Sequence, residues 1–154
     1  MSAITFENPV FAAYAVASAI MVLKIMGQGW VTVWLMLRRG TGYASPEDLR
    51  PGLINSAPDP AQLAVDPAVD RSRRMHRNDL ENIPAFWAAG LLLVLSAPPA
   101  WLAFALFYGF VAARLLHAWA YGTAQSHEVR ATFYTAGSLI VIYMALHVLC
   151  VALA

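Results

Sequence analysis

Three long apolar runs dominate the chain. Residues 9–37 read "PVFAAYAVASAIMVLKIMGQGWVTVWLML" with a single charge, and 99–121 and 131–154 are similarly oily. Each is long enough to cross roughly 30 Å of hydrocarbon as a helix, so each is predicted to span a bilayer. A fourth run, "IPAFWAAGLLLVLSA" at 83–97, supplies only about 15 apolar residues against the ~20 that a span needs. It must borrow its first turns from the polar stretch before it. Asp66 followed by Pro67 is a helix-start signature, a capping carboxylate with proline at the first helical position. The predicted helices are therefore about 9–38, 67–97, 99–122 and 128–153, with a loop over 39–66 and a tight turn at Pro98-Pro99. Within the loop, "ASPEDLR" at 44–50 predicts one short capped helix, followed by the proline-rich connector "SAPDPAQLAVDP".

Composition agrees with the pattern. Of 154 residues 60% are hydrophobic and 12% charged, outside the range of ordinary soluble domains. The expected fold class is an all-α integral membrane protein, a four-transmembrane-helix bundle forming one domain over 1–154. The first helix lacks a basic leader and a small-residue cleavage site, and is expected to stay as an internal anchor. Cys150 stands alone, so neither an intrachain disulfide nor a cysteine metal cluster is expected, and no metal site is predicted. Seven of the ten basic residues lie between 38 and 77 (Arg38, Arg39, Arg50, Arg71, Arg73, Arg74 and Arg77), which places the 39–66 loop on the cytoplasmic side and both termini on the other. The formal net charge is only +1, and no nucleic-acid partner is expected.

The charges gather at one level. The stretch "RMHRNDLENIP" at 74–84 puts Arg74, Arg77, Asn78 and Glu81 on one helix face, since residues three and four apart are neighbours. Asp79, Leu80 and Ile83 point elsewhere. Arg114, His117 and Tyr121 repeat the device near the end of the third helix, and Arg130 with Tyr134 near the start of the fourth. In an up-and-down bundle these three stripes meet on the cytoplasmic side. Ionisable groups inside a membrane are costly and line cavities, pathways or partner helices. Arginines with a glutamate, a histidine and two tyrosines suit a zwitterionic ligand carrying excess negative charge. A purely structural use competes with this reading: Arg38, Arg39, Arg71 and Arg73 lie where snorkelling to lipid headgroups is cheap. Lys24, deep in the first helix, calls for an acidic partner on a neighbouring helix, with Asp79 the candidate. His147 lies away from the cluster as a packing histidine, His76 and His127 are expected in solvent, and Trp30, Trp34, Trp101 and Trp119 fit interfacial or packing roles. No phosphate-cradling glycine loop, zinc motif or serine elbow is present, so a nucleophile would have to come from the ligand.

The residues carry a resemblance. "ASPED" at 44–48, "RMHRNDLENIP", "ARLLHAWAY" at 113–121 and "RATFYT" at 130–135 together resemble, over nearly the whole chain, the MAPEG superfamily of small membrane enzymes of eicosanoid and glutathione metabolism. The microsomal glutathione transferase and prostaglandin E synthase branches look nearest. The resemblance implies a homotrimer of four-helix subunits with glutathione as co-substrate, bound between neighbouring subunits near the cytoplasmic face. It implies glutathione-binding roles for Arg74, Arg77, Asn78, Glu81, His117, Tyr121, Arg130 and Tyr134, with Glu81 meeting the ligand's ammonium, and it makes Arg114 the family's buried arginine. Asp48 falls where the family has a loop acid near the site. The family's arginine at the end of the first helix corresponds to Arg38 or Arg39. Arg130 is the candidate for stabilising the glutathione thiolate, with Arg114 the second choice. Ala131 stands where the prostaglandin E synthase branch has a serine, which favours the transferase and peroxidase branch.

The implied activity is conjugation of glutathione to hydrophobic small-molecule or lipid electrophiles, with reduction of lipid hydroperoxides beside it. A prostaglandin E synthase-like isomerase and a non-catalytic protein that binds or presents lipid are the alternatives. The implied setting is a multi-pass protein among membrane lipids, in a bacterial inner membrane or the endoplasmic reticulum, with the glutathione site toward the cytoplasm.

Overall fold

Asn8 starts the first helix, its Oδ1 accepting from the Val10 amide at 3.0 Å while Pro9 fills the first helical position. In the computed structural model, which describes residues 3–154, four long helices follow: α1 (Pro9–Arg39), α2 (Pro67–Leu95), α3 (Ala100–Gly122) and α4 (His127–Leu153). Among the described residues the rest is loop and two 3₁₀ turns. α1, α3 and α4 are each long and apolar enough to cross a membrane. α2 is 29 residues long, but its first half is the polar stretch. α1 and α4 lie on opposite sides of the α2–α3 pair.

Local chemistry sets the ends. Gly40, at φ 61°, closes α1 with its amide on the Met36 carbonyl at 2.9 Å. The Asp66 carboxylate accepts from the Ala68 and Val69 amides at 2.8 and 3.0 Å, with Pro67 first in α2. Those amides, the Val69 one foremost, together with Arg39 at 3.1 Å, hold the Asp66 carboxyl below its ordinary value of 3.8. α2 stops at Leu95 instead of 97, because Ala97 turns into the left-handed region at φ 52° before Pro98-Pro99, and α3 starts at Ala100 instead of 99. The predicted short helix in the loop is the 3₁₀ turn Pro46–Leu49. The connector also contains a second turn, Pro60–Leu63, capped by Asp59 Oδ1 on the Ala61 amide at 2.7 Å. The Asp-Pro pair at 59–60, with Gln62 three residues after the cap, was the signal available for it.

The core is aromatic toward the turn between α2 and α3. Phe86 stacks on Phe110 with ring centroids 4.2 Å apart, Phe107 meets Phe86 edge-on, and Met21, Ile83, Leu93 and Met144 close around them without exposure. Gly90 lets α1 approach α2 closely: a Cβ there would fall 2.8 Å from the Tyr14 ring, whose hydroxyl donates to the Trp87 carbonyl at 2.8 Å. Toward the other end the α1–α2 contact turns polar. Gln28 Nε2 donates to Ser72 Oγ at 2.7 Å, and the Thr32 hydroxyl sits 2.7 Å from the same oxygen. Such bonds between membrane helices contribute about 0.6 kcal/mol each on average, so this contact fixes the pairing of α1 and α2 more than it adds to stability. Arg39, Arg71 and Tyr121 border one hollow at this end, while the N-terminal residues and Pro98 share a hollow at the other. The ends of α1 and α3 and the starts of α2 and α4 therefore come together at one end of the bundle.

Candidate functional site

The polar stripes do meet, and they separate into two linked groups. The outer group is a ring of contacts. On α2, the Asn78 amide donates to the Arg74 carbonyl at 2.7 Å, and Arg74 pairs with Asp70 one turn back. Glu81, two turns after Arg74, accepts from the Tyr134 hydroxyl of α4 at 3.3 Å. Tyr134 stands 6.1 Å, ring to ring, from His117 of α3, which stands 4.9 Å from Tyr121. The Arg130 guanidinium covers the Tyr121 ring at 4.8 Å, a cation–π contact that leaves its N–H groups largely available. Its Nε donates to the Ser126 carbonyl at 3.3 Å. Arg74, Arg77 and Glu81 are exposed. Asn82, behind this face, accepts from Ser138 Oγ at 2.9 Å and ties α2 to α4 beneath it.

The inner group is buried. Asp79 binds Lys24 of α1 through one carboxylate oxygen, as the sequence suggests, and Arg114 of α3 through the other at 2.6 Å. Arg114 Nη2 also lies 3.1 Å from His117 Nδ1. Arg114 and Asp79 are 0% exposed, so Arg114 sits behind the histidine and not on the open face. Gly137 of α4 packs against its stem, and a Cβ there would fall at ordinary contact distance, 3.6 Å from Arg114 Cδ. His117 is the joint between the two groups.

Of the residues singled out in the sequence, Arg74, Asn78, Glu81, His117, Tyr121, Arg130 and Tyr134 thus occupy neighbouring faces of α2, α3 and α4, whereas Arg77, one turn before Glu81, borders a hollow with Gly29, Thr32 and Val33 of α1. Arg38 is not brought against it, and stacks instead on Trp34 of its own helix at 5.1 Å. Arg39 is engaged by the Asp66 cap, which leaves Arg38 as the freer of the two. Arg73 donates to the Gly42 carbonyl at 2.6 Å and so pins the loop to α2, where Gly42, at φ 78°, leaves no room for a Cβ beside Val69. Asp48 is spent on the loop, accepting from the Ser45 amide at 3.2 Å. His127 is exposed as expected, but His76 is half-buried in an apolar hollow with Gly29, Trp30 and Leu80. His147 lies 6.2 Å from the Tyr143 ring, away from the site. Trp30, Trp34, Trp101 and Trp119 all face outward. Sequence reasoning left the partners of Arg114 unnamed and passed over Gln28, Thr32, Ser72 and Asn82. The i, i+4, i+8 run of Lys24, Gln28 and Thr32 in an oily helix was the available signal for the first two. Among the described residues, no group of three or more His, Cys, Asp or Glu could hold a metal.

Chemically, the outer ring offers guanidinium groups and an amide to carboxylates, a carboxylate to an ammonium, and tyrosine hydroxyls to either. Comparisons with known proteins extend over nearly the whole chain. The chain is 36% identical over 143 residues to microsomal glutathione S-transferase 1 of Bos taurus, covering 93% of this chain and 91% of that protein. It is 36% identical over 144 residues to the Homo sapiens protein of the same name, covering 93% and 91%. With prostaglandin E synthase of Homo sapiens the identity is 31% over 147 residues, covering 95% and 92%. The model of the MAPEG family matches residues 12–150, a stretch that reaches into all four helices and takes in both polar groups, and the chain therefore belongs to the MAPEG family.

Proposed function

We propose that the protein is a membrane-bound glutathione transferase that joins the glutathione thiolate to hydrophobic electrophiles, with reduction of lipid hydroperoxides as a companion activity. The observation that carries this reading is the ring from Glu81 through Tyr134, His117 and Tyr121 to Arg130, with Arg74 and Asn78 beside it and Arg77 one turn before Glu81. Glutathione has two carboxylates, one ammonium and a thiol. Arg74, Arg77 and Asn78 suit the carboxylates, and Glu81 the ammonium. A free thiol, with a pKa of about 8.5, is mostly protonated at neutral pH. A guanidinium beside it favours the anion, and Arg130, held over Tyr121 with donors to spare, is the candidate for that work. The thiolate sulfur attacks the electrophilic carbon, the carbon–sulfur bond forms as the leaving group departs with its electron pair, and the thiol proton goes to solvent. The oily co-substrate enters sideways from the bilayer.

The names of the relatives support glutathione as co-substrate. Ala131, where the synthase branch has a serine, weighs against prostaglandin isomerisation. Glu81 at one end of the ring is exposed while His117 and Tyr121 are buried behind it, and Arg38 stands apart from the ring. Both features fit a homotrimer in which Arg38 of one copy completes the site of its neighbour, with 1–154 as a single four-span domain and the site facing the cytoplasm. The test is glutathione binding to detergent-purified protein, followed by thiolate absorbance in the ultraviolet and by turnover of chlorodinitrobenzene. Binding, thiolate and conjugate are expected together. A folded oligomer that binds no glutathione would instead support a lipid-binding, non-catalytic protein.

A further inference from the structure

Arg114 has no acceptor of its own: a guanidinium only donates. Its Nη2 carries two hydrogens, one directed to Asp79 Oδ1 at 2.6 Å and one to His117 Nδ1 at 3.1 Å. The histidine nitrogen must therefore present a lone pair. A proton on Nδ1 would set N–H against N–H beside a cation, inside a bundle where His117 is 1% exposed. The ring is thus neutral with its single proton on Nε2, across from Arg114. Among the described residues Nε2 makes no hydrogen bond, and the ring stands between Tyr121 and Tyr134. Asp79 is itself fixed from the other side by Lys24, so the carboxylate that orients Arg114 cannot swing away.

We propose that Asp79 and Arg114 form a buried positioning pair that holds His117 in its Nε2–H form, so that the histidine offers a donor to an anionic group of the ligand seated against Tyr121 and Tyr134. The ligand half of this inference rests on the glutathione reading given above. The tautomer half does not. The arrangement gives the inner charges a purpose that helix packing alone does not require: an apolar core would hold α1, α2 and α3 together without burying two cations and an anion. The hydrogen bond the histidine accepts at one nitrogen decides what its other nitrogen can do.

The experiment uses protein labelled with nitrogen-15 at histidine, in lipid bilayers and without glutathione. His76, His127 and His147 are replaced by Gln, so that His117 gives the only signals, and the same pair of signals must be present in the unsubstituted protein. The expected result is a bare Nδ1 and a protonated Nε2 at neutral pH. A protonated Nδ1, or an even mixture, would overturn the proposal. Arg114→Met and Asp79→Asn should release the ring into mixed tautomers, and persistence of pure Nε2–H in folded variants would also overturn it. Should those variants fail to fold, His117 itself is the probe. Glutathione binding by His117→Gln, which keeps a donor, should stay within about threefold of the parent, while His117→Leu should bind roughly tenfold more weakly. Equal loss in both would remove the donor role. If the Nε2–H form is found but glutathione does not bind, the positioning pair stands and the glutathione reading falls.

Discussion

Asp79 shares its two carboxylate oxygens between Lys24 of α1 and Arg114 of α3, and is itself fully buried. One anion thus links three helices and faces two cations. Removing it leaves both cations buried without a partner, whereas removing Lys24 leaves a one-to-one pair. Asp79→Ala should therefore cost about 3–5 kcal/mol, the range for breaking a buried ion pair from one side, and Lys24→Met distinctly less. Urea or thermal unfolding of both variants in the same detergent tests the ranking, and equal losses would contradict the charge count.

Asp66 makes a pH prediction. Its carboxyl titrates below its ordinary value because the Val69 and Ala68 amides and Arg39 favour the anion. A depressed folded value means that the stabilisation is complete above the unfolded value of 3.8 and is lost as pH falls through the lower folded one. Asp66→Asn keeps a good helix cap and should change stability little at neutral pH, while flattening the decline below about pH 4. Unfolding midpoints of parent and variant across the acid range would decide it, and parallel curves would count against a role for this carboxylate.

Gly90 and Gly27 make a matched pair. A Cβ at Gly90 would meet the Tyr14 ring at 2.8 Å, while at Gly27 nothing lies within 4 Å. Gly90→Ala should destabilise by about 1–3 kcal/mol through overpacking. Gly27→Ala, in the middle of α1, should be neutral or stabilising by roughly 0.5–1 kcal/mol. Thermal midpoints of the two variants compare them directly.

Arg130 and Glu81 separate binding from activation within the proposed site. Arg130→Ala should leave a folded oligomer that still binds glutathione but forms thiolate poorly, read from ultraviolet absorbance at several pH values. Glu81→Gln should weaken glutathione roughly tenfold or more, since it discards a charge-assisted bond, and should also loosen Tyr134. Calorimetry gives the affinity. An Arg130→Ala protein with undiminished thiolate would move the activating role to another cation.

The helices could be read from the chain because their signals are local. Asp66 and Pro67 announced the start of α2, and a lone Lys24 in an oily run demanded an acid, which Asp79 proved to be. The arginine beside that acid was less legible. Arg114, His117 and Tyr121 lie on one stripe of α3, and spacing alone could not tell that Arg114 turns inward to α2 while Tyr121 turns toward α4. Depth within the bundle depends on how helices from distant parts of the chain pack. Arg38 and Arg39 illustrate the same limit: neighbours in sequence, they part company only because the α2 cap engages one of them.

α4 has the fewest buried residues of the four helices, Gly137 and Met144, yet it carries Arg130 and Tyr134. A helix held by so little of its own chain exchanges its amide hydrogens through small local openings long before the rest of the bundle lets go. Two of the five ring residues travel with it. For the proposed glutathione site, how firmly a given lipid or detergent seats one helix then sets whether the ring holds together, and the proposed conjugation should fade under conditions in which α1, α2 and α3 remain packed.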